Sequence, residues 1–291
     1  MLNDLNKAFA IPGLSFQMGN GGLVRAVIDA AIAKGELYLQ GAHVTSWTPV
    51  GQRPVLWLSG QSNFEVGKPI RGGVPICFPW FGPNAKDATQ PAHGFARTAD
   101  WQVTGSRTTP DGAIELHLTT SIDSFSLDYY VEFGRELKMT LQTHLSADAA
   151  SPNTFENALH TYFAVSDVRF ISIGGLETAS YIDKVDHGLL KQASGETIQV
   201  AGETDRVYLE TQSACDLRDM GFDRVIRVSK TGSNSTVVWN PWIDKSKRMA
   251  DFGDEEWPAM VCIETANVGA SRIELAPGES HSTVCTIAIS N

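Results

Sequence analysis

The chain has 291 residues and a formal net charge of −10 at pH 7. That acidity argues against nucleic acid as a partner, because a basic face would be needed to neutralise phosphates. With 42% hydrophobic and 19% charged residues, and no apolar run near the roughly eighteen residues a membrane helix needs, the chain reads as globular, with a large core and no membrane partner.

The first residues, Met1 to Leu5, lack a basic stretch followed by an apolar run, so no secretory signal is expected. The four cysteines, Cys77, Cys215, Cys262 and Cys285, form no CxxC pair. They read as free thiols in a reducing cytoplasm, without structural zinc or a disulfide framework.

Residues 23–32 and 55–58 are the first expected strands. The first chemical island follows at residues 71–83, RGGVPICFPWFGP. Its glycines permit unusual φ values or close backbone approach to a ligand. Its prolines and aromatics stiffen a loop that can wall off a sugar ring. Arg71 opens it, and a guanidinium suits an oxyanion such as phosphate.

A polar loop, residues 84–91, leads to the second island, HGFAR at residues 93–97. If extended, it places His93 and Arg97 on one face. Arg97 can then join Arg71 at an anion, although by composition alone it reads as well as the partner of a surface carboxylate.

Alternation marks strands at 114–119, after the Pro110-Asp111-Gly112 turn, and at 136–142. The third island, ALHTYF at residues 158–163, sets His160 in an apolar run. Read as a strand, it puts His160 and Tyr162 on one face and Leu159, Thr161 and Phe163 on the other. A histidine held there suits proton transfer; a satisfied core histidine is the plainer reading. No HxH or HExxH pattern points to catalytic zinc.

Further strands are expected at 206–209 and 236–239. Residues 244–252 read as a short helix capped by Asp244. The fourth island, CIET at residues 262–265, ends an apolar run on Glu264. A buried carboxylate is costly unless paired or functional, and burial would raise its pKa toward that of a useful base. The last strand carries Cys285, Ile287 and Ile289 after the turn at residues 276–279. The fold expected is all-β: a large antiparallel β-sandwich with few helices, residues 1–291 forming one domain. A dinucleotide-binding βαβ fold is not supported, since GxGxxG and strand–helix alternation are both missing.

Taken in order, the four islands with TDRVY at 204–208, WNPW at 239–242 and CIETANV at 262–268 resemble the glucose-6-phosphate 1-epimerase (hexose-6-phosphate mutarotase) family of the galactose mutarotase-like superfamily. The resemblance runs from about residue 16 to residue 289. It implies a β-supersandwich and cofactor-independent interconversion of the α and β anomers of a hexose 6-phosphate, a small-molecule partner. Carried over by motif, Glu264 is implied as general base and His160 as general acid. Arg71, Arg97 and Asp205 match substrate-binding positions, and His93 matches a histidine near the ring. One departure stands out: where many members have Gln immediately before HGFAR, this chain has Ala92, with Gln90 two residues earlier as a replacement contact. A monomer suffices for such a site. Two other readings keep some of these residues: a catalytically silent sugar-phosphate-binding protein, which needs neither Glu264 nor His160, and an aldose 1-epimerase for neutral sugars.

Overall fold

The computed structural model describes residues 2–290, and two eight-stranded antiparallel sheets dominate it. The back sheet runs in the spatial order Ile171–Gly174, Cys215–Asp219, Arg224–Thr231, Ser280–Ser290, Leu137–Leu145, Phe125–Phe133, Ile114–Ile122 and Gln102–Thr108. The front sheet runs Leu189–Gln192, Ser180–Asp183, Thr204–Tyr208, Ser235–Asn240, Met260–Asn267, Asn157–Leu159 and Ile76–Cys77, with Tyr162–Ala164 also paired to Met260–Asn267. A four-stranded sheet (residues 14–49) and a two-stranded ribbon complete the β structure. No helix among the described residues is long and apolar enough to cross a membrane.

The period-two pattern explains the back sheet. In Leu137–Leu145, Leu137, Met139, Leu141, Thr143 and Leu145 are buried while the intervening residues are partly or fully exposed. Full burial of each large apolar side chain contributes about 1.5–3 kcal/mol. The central front strand breaks this pattern: all eight residues of Met260–Asn267 are buried. Its odd-numbered apolar residues Val261 and Ile263, with Leu159, Phe163 and Val238, join the main core, as do Met260 and Cys262. On the other face, Cys77, Ala158, Val207, Val237 and Ala266 form a separate cluster against Phe81. The front sheet is therefore covered on both sides, which is why its centre reads as a continuous apolar run.

A buried polar bridge ties the sheets. Asn157 Nδ2 donates to Thr283 Oγ1 at 2.9 Å, and Asn267 Nδ2 donates to Asn157 Oδ1 at 3.1 Å. Satisfied networks of this kind pin one register.

Several local expectations change. The helix expected at 244–252 spans Trp242–Ser246; Pro241, whose φ is −70°, begins it, and Asp244 lies in its first turn rather than capping it. A helix not expected, Leu2–Phe9, packs on the Leu14–Met18 strand, and its Asn6 exchanges hydrogen bonds with the Phe16 backbone. Residues 55–58 make only isolated bridges, Leu56 with Phe163 and Leu58 with Gly72. Residues 93–97 form turns, not a strand, because His93 and Gly94 have φ of 66° and 71°. The shared strand parity of His93 and Arg97 is lost with it.

Candidate active site

Strand register builds the centre of the site. Leu159 opposes Thr265 and Tyr162 opposes Cys262 in one antiparallel ladder. The same register sets His160 opposite Glu264, although the strand breaks at His160 and Thr161: the His160 N–H turns to the Pro75 carbonyl, while the Thr161 carbonyl still accepts from the Ile263 N–H at 3.3 Å. Opposed residues on one face of a sheet are close neighbours. His160 Nε2 lies 3.3 Å from Glu264 Oε1. The contact is an approach, not a hydrogen bond: neither Glu264 oxygen has a hydrogen-bond partner, and His160 Nδ1 has none either. His160 is 8% exposed and Glu264 1%.

A buried carboxyl without partners is unusual, and its chemistry follows from that. Burial first, then the negative charge of Asp205, pushes the Glu264 pKa well above the ordinary carboxylate range, against the pull of Lys184. Burial also drives the His160 pKa well below 6.5, helped by His93, Arg71 and Arg97. Both shifts run toward the uncharged forms, carboxyl and imidazole.

These two groups lie in a pocket of ≈ 280 Å³, whose lining also includes Arg71, His93 and Asp205. Asp205 reaches it by the sheet register, opposite Trp239, which is opposite Cys262. Burial raises the Asp205 pKa, while Lys184 and Lys245 counteract it. His93 Nδ1 accepts from the Gly82 N–H at 3.3 Å, which leaves Nε2 to carry the proton. Burial, with Arg97, Lys184 and Arg71, lowers its pKa to about 3. His93 is thus a neutral donor held in a left-handed conformation, a kind of strain found at functional sites.

Arg71 is held by Asp251, through Nε at 3.2 Å and Nη2 at 3.1 Å, and by the Tyr162 hydroxyl, through Nη1 at 2.9 Å. The glycines beside it serve the protein's own backbone. A Cβ on Gly73, whose φ is +61°, would come 2.2 Å from the Val44 carbonyl oxygen, and one on Gly72 2.5 Å from that of Trp57. The close approach expected for a ligand is made instead by neighbouring strands. Buried His43 Nε2 lies 2.7 Å from the Gly72 carbonyl and fastens the same loop.

Two sequence-expected contacts fall outside the pocket lining. Arg97 Nη2 donates to the Ala92 carbonyl at 2.7 Å, although its charge is near enough to depress His93 and His160. Gln90 Nε2 donates to Asp87 Oδ2 at 3.3 Å. The loop before His93 curls on itself through Asn84 and Asp87, and Gln90, expected as a contact in place of Ala92, is not among the lining residues. Conversely, Lys184 and Lys245 line the pocket unannounced by any motif. Lys184 sits 4.6 Å over the Phe81 ring and Lys245 5.9 Å from the Trp239 ring.

His160, Cys262 and Glu264 bring ligand-type atoms within 4.8 Å of one another. We assign them no metal: Arg71, Lys184 and Lys245 line the adjoining pocket with positive charge, which opposes a cation there.

The sequence profile of a family described as aldose 1-epimerase matches residues 27–288. A candidate glucose-6-phosphate 1-epimerase of Escherichia coli is 37% identical over 248 residues, 82% of each chain. One of Salmonella typhimurium is 32% identical over 302 residues, 97% of this chain and 98% of its own. A crystal structure of a candidate mutarotase from Salmonella typhimurium superposes with a TM-score of 0.88 at 29% identity, covering both chains fully. A galactose mutarotase-like protein of Clostridium acetobutylicum shares the fold, with a TM-score of 0.67 at 14% identity.

Proposed function

The chain belongs to the aldose 1-epimerase family, and on that premise we propose that it interconverts the α and β anomers of a hexose 6-phosphate, D-glucose 6-phosphate first among them. The observation that carries the chemistry is the buried His160–Glu264 pair in the pocket lining, 3.3 Å apart, with no hydrogen-bond partner at either Glu264 oxygen or at His160 Nδ1. Two oxygens of the substrate, the anomeric hydroxyl and the ring oxygen, are attached to the same carbon. Two adjacent proton-transfer groups match that separation.

Ring opening starts from Glu264 as carboxylate and His160 as imidazolium. Glu264 takes the proton of the C1 hydroxyl, the bond from C1 to the ring oxygen breaks, and His160 protonates the departing oxygen. The product is an aldehyde, with the pair left uncharged, the direction in which burial shifts both groups. Rotation about C1–C2 presents the other carbonyl face. Closure reverses both transfers and yields the other anomer. A positioned acid or base contributes roughly 10²–10⁴-fold.

Substrate binding supplies the protonation state that opening needs. Sugar hydroxyls donating to Glu264 favour its carboxylate. A phosphate against Arg71, with Arg97 behind it, offsets two of the charges that depress His160. The anion therefore serves the chemistry as well as affinity, a use of remote binding energy. Asp205, flanked by Lys184 and Lys245, is assigned to ring hydroxyls, and the neutral His93 to a donor role beside the ring.

Saturation-transfer NMR on glucose 6-phosphate and free glucose tests this reading. The expected result is a kcat/KM more than about tenfold higher for the phosphate, since one charge-assisted hydrogen bond already carries about that factor. Equal rates on both sugars would remove the phosphate assignment; exchange of neither above the uncatalysed rate would remove the enzyme assignment.

A further inference from the structure

Tyr162 occupies the junction between the cationic wall of the pocket and its proton-transfer pair. Its hydroxyl oxygen accepts from Arg71 Nη1 at 2.9 Å. Its ring stacks on the His160 imidazole, with centroids 4.8 Å apart and planes 12° apart, and also on Trp57 at 5.7 Å and 22°. Asp251 grips the same guanidinium through Nε and Nη2. An arginine has five N–H donors. These contacts engage three, which leaves two for a ligand.

The hydroxyl itself has an unused capacity. A phenol that accepts a hydrogen bond still has its own proton to donate. No acceptor among the described residues takes the Tyr162 proton, although the residue is 1% exposed and lines the pocket. Burial pushes the phenol pKa up, so the proton is in place at neutral pH. The unused O–H is one hydrogen bond away from the guanidinium that offers the two unused N–H groups. An oxyanion with several acceptor oxygens matches that set. A neutral hydroxyl, with a single oxygen, matches it less fully.

We propose that the Tyr162 hydroxyl binds the anionic group of the substrate together with Arg71, which makes Tyr162 a specificity-determining residue for phosphorylated sugars. The inference rests on the reading of Arg71 as the phosphate-binding end of the pocket. It goes beyond that reading by assigning a donor to a residue whose ring also orients His160. Tyr162→Phe keeps the ring stacked on His160 and deletes the hydroxyl, with its own donor and its hydrogen bond from Arg71; Asp251 still holds Arg71 through Nε and Nη2.

Two measurements on Tyr162→Phe test it. In anomer exchange, KM for glucose 6-phosphate is expected to rise about 10- to 100-fold, with kcat at saturation within about twofold of the parent. In thermal unfolding, the Tm increase given by inorganic phosphate is expected to shrink, while the Tm without phosphate stays near the parent value. A fall in kcat at unchanged KM would assign Tyr162 to holding His160 and overturn the proposal. An unchanged phosphate-dependent Tm shift would overturn it as well. If the parent protein exchanges no sugar, the functional reading fails, and the phosphate-dependent Tm shift still decides whether Tyr162 binds an anion.

Discussion

Glu264→Gln is expected to lower catalysed anomer exchange on glucose 6-phosphate by roughly 10²–10⁴-fold and to raise thermal stability at neutral and alkaline pH. Both effects come from one fact: a carboxyl with 1% exposure and no hydrogen-bond partner. The amide keeps the shape of the side chain and cannot ionise, so it takes no proton from the anomeric hydroxyl. The sign of the stability effect follows from linkage. The Glu264 pKa is raised on folding. Its stabilising contribution is complete below the unfolded value of 4.5 and is lost as pH rises toward the folded value. Glutamine escapes that loss. The Tm of Glu264→Gln should therefore exceed the parent's at neutral pH and converge with it in acid, near and below pH 4.5. Unfolding scans across pH, paired with exchange rates, check both halves. A variant less stable than the parent at neutral pH would mean that Glu264 holds the fold, and its loss of activity would then carry no mechanistic weight.

Gly94→Ala should have a large structural effect. Gly94 has φ +71°, and a Cβ there would lie 2.0 Å from the Phe78 carbonyl oxygen. That oxygen already accepts from the Phe95 and Ala96 N–H groups at 2.8 and 3.3 Å, so neither side can yield cheaply. A left-handed residue with a Cβ costs roughly 1–2 kcal/mol, and overpacking adds roughly 1–3 kcal/mol. The expected loss is about 3 kcal/mol, a fall in Tm on the order of 10 °C. Activity should fall too, because Gly94 follows His93 in the turn that carries it into the pocket. Gly22→Ala is the control: its φ is +73°, but nothing lies within 4 Å of the added Cβ. Only the conformational cost remains, about 1 kcal/mol. Equal losses in the two variants would show that the contact with Phe78 is not what demands glycine.

Much of the fold was legible because strand pairing imposes period two. Leu137 to Leu145 and the C-terminal strand through Cys285, Ile287 and Ile289 follow it openly. The pattern was least informative where something else took over. Pro241 reset the start of the short helix, and left-handed backbone at His93 and Gly94 made residues 93–97 a loop anchored on Phe78, so the strand parity considered for His93 and Arg97 does not apply. The N-terminal helix carries a helical spacing in Leu2, Leu5 and Phe9, which pack on the core, but over only eight residues that pattern is too short to stand out.

For the site, the sequence by itself determined the chemical inventory. It singled out a carboxylate at the end of an apolar run, a histidine in another and two arginines in glycine-containing islands, because groups costly to bury stand out against apolar neighbours. The motifs added Asp205 by family likeness. Only the tertiary structure decided which groups meet. Register across two strands more than a hundred residues apart set His160 opposite Glu264. Pairing with Asp251 and Tyr162 set the direction of Arg71, a turn carried the Arg97 side chain to the Ala92 carbonyl, and a curled loop kept Gln90 on Asp87. Lys184 and Lys245 gave no notice of themselves, since a lysine on a polar strand end or a short helix reads as solvated until the fold places an aromatic ring beneath it. Composition and local pattern report what each residue costs to bury; the distances that turn such residues into a site come from long-range pairing, which no local pattern encodes.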